Sequence, residues 1–154
     1  KKMFVGIVLL VLLSGCAAAI VKPPAYRSLG TVAGVEVRIY LSRGDLLRGM
    51  PPLIASFAET LAKVYGTTNV GLSGFYDWDT LIIHILNNPM SLVHEVKHHL
   101  EAPWVHGFTA SSEDQGWRPK NSDRIFILRG IEFTIKSSDT PESVVIRLRE
   151  IFVK

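Results

Sequence analysis

The sequence predicts an α+β domain. Apolar residues recur at helical spacing in two stretches, residues 51–65 and 88–102. Short alternating or β-branched runs occupy residues 31–41, 80–86, 124–128 and 131–135. The two patterns are interleaved as strand, helix, strand, helix, loop, two strands, helix, with no internal repeat. That order favours a small, mostly antiparallel sheet carrying helices.

The chain opens on a segment that does not belong to this domain. Lys1 and Lys2 are followed by an apolar run from Phe4 to Leu13, and then by Leu13-Ser14-Gly15-Cys16. A basic start, an apolar stretch and small residues are the marks of an export signal. The run is too short for a comfortable membrane span, which needs ~20 residues. The segment resembles a bacterial lipoprotein signal peptide ending in a lipobox. The resemblance implies that residues 1–15 are removed and that Cys16 is lipidated. Residues 16–28 would then be a tether, with Pro23-Pro24 barring regular structure. It also implies the cell envelope, anchored to the outer rather than the inner membrane, since Ala17 is not a retention residue. Cys16 is the only cysteine, so no intrachain disulfide forms, and lipidation would account for it.

Residues 29–154 remain as one domain, long enough for a core. The net charge of +3 falls to +1 once Lys1 and Lys2 leave, with 15 basic residues against 14 acidic. Neither that balance nor any basic run supports a nucleic-acid partner. A monomer is expected.

Thr31 to Leu41 alternates, with Val35, Val37 and Ile39 on one side and Glu36, Arg38 and Tyr40 on the other. It reads as a strand with one buried face, preceded by a turn at Ala33-Gly34. Arg43-Gly44-Asp45 reads as a turn rather than an adhesion motif. Pro51 to Tyr65 is a helix opened by Pro51-Pro52, whose Leu53, Ile54, Phe57, Leu61 and Val64 form a stripe expected in the core. Val70 to Tyr76 reads as a Gly-rich loop, and Thr80 to Leu86 as a strand in which His84 is half-buried. Phe108 to Asp123 is a long polar loop flanked by Trp104 and Trp117, which pack under it or wall a pocket. Two strands, Arg124–Leu128 and Ile131–Ile135, turn about Arg129-Gly130. A last helix starts near Pro141, capped by Asp139 or Thr140, with Val144, Val145, Leu148, Ile151 and Phe152 on its apolar face.

The chemistry is concentrated in one place. Four of the five histidines fall between residues 94 and 106. His94-Glu95-Val96-Lys97-His98 reads H-E-x-x-H and lies in the helix expected over residues 88–102, with Leu92, Val93, Val96 and Leu100 as its apolar stripe. Residues i and i+4 sit about 40° apart, so His94 and His98 can occupy two corners of a tetrahedral zinc site. Glu95, about 100° round, can take a proton from zinc-bound water. Ala102-Pro103 ends the helix. The third ligand is His106, brought back by the Pro103 turn, or alternatively Glu101. With His106 as ligand, Glu101 would hold an imidazole N–H. His99 points away from His98, toward the surface or a supporting role. Tyr76 is a candidate for stabilising an oxyanion.

The stretch from His94 to His106 resembles the zincin superfamily of metallopeptidases. Where the metzincin form has Gly and a third His, this chain has Glu101 and Trp104. No later E-x-x-x-D marks it as a gluzincin. The resemblance implies a Zn2+-dependent hydrolase of peptide bonds, with a helix such as Pro51–Tyr65 backing the H-E-x-x-H helix. It also implies that the strand before that helix edges the cleft and pairs with an extended peptide or protein substrate. Two other readings remain open. One is a non-catalytic envelope lipoprotein, a surface or assembly factor whose histidines bind metal passively or structurally. The other is hydrolysis of cell-wall peptide.

Overall fold

The computed structural model describes residues 22–64, 73–102 and 123–153. Among them the architecture is α+β, with four helices and two small, mostly antiparallel sheets. The signal segment with Cys16, the loop from Phe108 through 122, Trp104 and His106 lie outside the described residues.

The fold begins with a hairpin. β1 (Tyr26–Val32) pairs antiparallel with β2 (Val35–Tyr40). Ala33 and Gly34 both take positive φ, 50° and 85°, as a two-residue hairpin loop demands. The tether was expected to run through Ser28. Residues 26–28 are strand because Tyr26 pairs with Tyr40 and Ser28 with Arg38. The alternation along β2 holds, with Val35, Val37 and Ile39 all buried.

Arg43-Gly44-Asp45 is not a turn. It opens α1 (Arg43–Gly49), because Ser42 accepts the Asp45 N–H at 3.1 Å and caps the helix. α2 (Pro52–Val64) follows. Its stripe is not core. Leu53, Phe57 and Val64 are exposed, while Ala58 is buried and Ile54 packs with Tyr40, Leu46 and Met50.

β3 (Gly74–Asp77) replaces part of the expected loop. It pairs antiparallel with β4 (Ile82–Ile85), which in turn lies parallel to β2. The order β1-β2-β4-β3 leaves β3, not β4, at the sheet edge. β5 (Arg124–Leu128) and β6 (Ile131–Ile135) form a second hairpin about Arg129 and Gly130, again with two positive φ values, 48° and 77°.

α3 (Pro89–Leu100) is the H-E-x-x-H helix, and α4 (Pro141–Ile151) is the last. Thr140 caps α4 in a reciprocal pair with Ser143. The core lies between the sheet and these two helices. Val37, Ile39, Ile83 and Ile85 meet Leu92, Val93, Val96 and Leu100, closed by Phe126, Phe133, Val144 and Leu148. Ile151 stays exposed, since it falls in the last turn of α4, and Phe152 is partly buried against the core. The helix packed beside α3 is α4. α2 packs instead on α1, which sits on the opposite sheet face with Tyr40 and Phe75, so the expected backing role does not fall to α2. No helix among the described residues is long and apolar enough to cross a membrane.

Candidate metal and acid-base site

α3 starts cleanly. The Asn88 side chain accepts the N–H groups of Met90 and Ser91, and Pro89 occupies the first turn, where its missing N–H costs nothing. At the other end Lys97 Nζ donates to Ile127 O at 2.7 Å, and Arg129 Nε donates to Leu100 O at 2.9 Å. The helix is thus tied to the β5–β6 hairpin just where its own carbonyls run out of partners.

Leu92, Val93, Val96 and Leu100 face the core, which turns His94 and His98 to the other flank, both half-buried. Their ring centroids are 5.0 Å apart and nearly perpendicular, at 79°. An imidazole bound through nitrogen at ~2.1 Å has its ring centre ~3.2 Å from the metal, so two rings at a tetrahedral angle stand about 5.2 Å apart. The separation of the two rings is close to that spacing. Among the described residues there is no group of three or more His, Cys, Asp or Glu side chains that could hold a metal ion.

No protein-family model matches this chain. No curated protein and no solved structure matches it either. The chemistry has to be read from the residues themselves.

Glu95 lies between the histidine flank and the sheet and is only 7 % exposed. Burial pushes its carboxyl up to about 8, opposed by one hydrogen bond from the Tyr76 backbone N–H. Gly74 makes room for it: a Cβ there would stand 3.0 Å from both Glu95 Cγ and Oε1. The edge strand β3 thus forms a wall against Glu95, and Ser73 and Ser91 are hydrogen-bonded beside it.

Sequence reasoning missed β3 altogether. Gly74 looked like a loop residue, and the one available signal was Tyr76 and Phe75 beside it. The same strand corrects the expectation for Tyr76. Its ring is buried and its hydroxyl is bonded to His99 Nδ1 at 2.8 Å, so it is committed to structure rather than to an oxyanion. His99 Nε2 meets Ala33 O at 3.2 Å. A carbonyl only accepts, so the ring carries its proton on Nε2 and Tyr76 donates to Nδ1. His99 therefore ties α3 to β3 and to the β1–β2 turn.

Glu101 also has other work. Its Oε1 accepts the Arg129 N–H at 2.8 Å, and its Oε2 pairs with Lys97 Nζ at 2.8 Å. Both oxygens are engaged with the hairpin and the helix end.

His84 does not join the pair. It is 2 % exposed, on the sheet face that carries Arg38, Tyr40 and Phe75, while α3 covers the other face. Its Nδ1 shares a hydrogen bond with Tyr40 Oη at 2.9 Å. Burial, then the nearby Arg38 charge, pulls its pKa down to about 4, so the ring stays neutral.

Proposed function

We propose that this chain is a zinc-dependent peptidase tethered to the cell envelope, in a small zincin-like domain. The observation that carries the reading is the arrangement on α3. Two imidazoles stand at the spacing of a shared tetrahedral ion, with a buried carboxyl one position from the first, pressed against an edge strand. His94 and His98 would hold the metal, with His106 as the third ligand expected from the sequence. Zinc bound there would supply a Lewis acid for the scissile carbonyl and a water acidified toward neutrality.

The remaining steps belong to the chain's own residues. Burial keeps the Glu95 carboxyl protonated near neutral pH, so a bound cation that favours its charged form would free it to take the proton of the attacking water and pass it to the leaving amine. The Tyr76 N–H and Gly74 hold its carboxyl in place. β3 is the edge strand of the described sheet, and an extended peptide could align along it beside Glu95.

Glu95→Gln tests this directly. Metal analysis should find zinc retained, and peptide hydrolysis should be lost. Wild-type turnover in that variant would remove Glu95 from the mechanism. A digest of cell-wall peptide alongside protein substrates separates the two substrate classes.

The burial of Glu95 also favours a second reading, a non-catalytic envelope lipoprotein with a passive metal pair. Zinc bound without an exchangeable water, or no zinc after refolding with the metal, would support that reading.

A further inference from the structure

α2 carries a stripe that no described element covers. Leu53 is 85 % exposed, Phe57 63 % and Val64 71 %. At about 100° per residue all three fall within about 40° of one another around the helix. The adjoining flank, about 100° round the helix, packs inward, since Ala58 is buried and Ile54 packs with Tyr40, Leu46 and Met50. Leu41, 84 % exposed, adds to the apolar surface where β2 runs into α1. Contiguous exposed apolar surface of this kind marks an interaction site.

The entry point of the chain says what the partner is. The Ala25 N–H donates to Asp45 Oδ1 at 3.1 Å, in the first turn of α1, the helix on which α2 packs. α1 has seven residues and is therefore about 10 Å long, so one short helix separates this anchor point from the start of α2. Cys16 precedes Ala25 by nine residues, which even fully extended span at most about 30 Å. A lipid on Cys16 holds α2 within reach of the bilayer surface, and an amphipathic helix there lies with its apolar face in the headgroup–acyl boundary.

We infer that the Leu53–Phe57–Val64 stripe of α2 is a bilayer-docking face that orients the tethered domain. The inference rests on the tethered half of the proposed function and not on the peptidase half. It has a geometric consequence. α2 sits with α1 on one face of the four-stranded sheet, and α3 packs on the other. Docking through α2 leaves the His94–His98 helix on the sheet face that does not carry the docking helix.

The test uses the full chain carrying Leu53→Cys, Phe57→Cys or Val64→Cys, labelled with a thiol-reactive environment-sensitive fluorophore. Ile146→Cys, at an exposed site on α4, is the control. Each is reconstituted into vesicles of phosphatidylethanolamine and phosphatidylglycerol and then floated. The wild-type chain should take no label if its single Cys16 is lipidated. The three α2 labels should shift to the blue and lose most of their emission in vesicles with brominated acyl chains, while the Ile146 label does neither. A floating chain whose α2 labels are unshifted overturns the docking and leaves the tether intact. So does one whose labels shift but resist brominated lipid, because another protein surface then covers the stripe. A chain that stays soluble and labels at Cys16 overturns the tether and the docking with it.

Discussion

Replacing Glu95 by Gln in the metal-free protein should change the pH dependence of stability in a defined way. Glu95 has a folded-state pKa of about 8 against an ordinary value of 4.5. Between those values the folded protein keeps the proton and the unfolded chain has released it. Stability therefore falls as pH rises, by about 1.4 kcal/mol per unit for this one group. The full stabilising contribution is present below pH 4.5 and is lost as pH climbs toward 8. Over the window the total is on the order of 5 kcal/mol. A glutamine has no proton to lose, so Glu95→Gln should erase that slope and be the more stable protein at pH 8. The assay is urea unfolding of both proteins with a chelator present, from pH 5 to pH 8. Added zinc should flatten the wild-type slope, since a cation beside the carboxylate favours its charged form. Parallel curves for the two chelated proteins would show that burial does not hold the carboxyl neutral, and the account of the site would fail with it.

Gly74→Ala places a methyl group 3.0 Å from Glu95 Cγ and 3.3 Å from Ile85 Cγ2, and should cost about 1–3 kcal/mol in urea unfolding; unchanged stability would mean the wall against Glu95 is loose. His106→Ala should weaken zinc binding far more than Glu101→Ala in a competition titration. Glu101→Ala should instead lower stability by about 0.5–1.5 kcal/mol through the lost Arg129 N–H bond, and the reverse ranking would move the third ligand to Glu101. His84 has the opposite linkage to Glu95. Its folded pKa is depressed to about 4, so its contribution is present above 6.5 and is lost as pH falls toward 4. His84→Asn should remove that acid sensitivity in chelated protein, and an unchanged acid limb would refute it.

Much of this protein was legible in residue order because the deciding interactions are local. The α3 helix follows from Asn88, Pro89 and an apolar stripe of helical period, and the H-E-x-x-H spacing places His94 and His98 together on any helix. The β5–β6 hairpin follows from two short apolar runs about Arg129-Gly130, and the α4 start follows from Thr140 and Pro141, whereas the start of β1 falls in the stretch expected as tether. Tertiary structure decided everything that depends on partners distant in sequence. Gly74 to Asp77 is a strand only because β4 pairs with it, since four residues beside a glycine carry too little pattern of their own. The Tyr76 hydroxyl is bonded to His99, 23 residues on, and the Glu101 carboxylate to the Arg129 N–H, 28 residues on. The apolar stripe of α2 has the same period whether it faces a core or a membrane. Periodicity reports that a helix has an apolar side, and only the packed fold shows what that side meets.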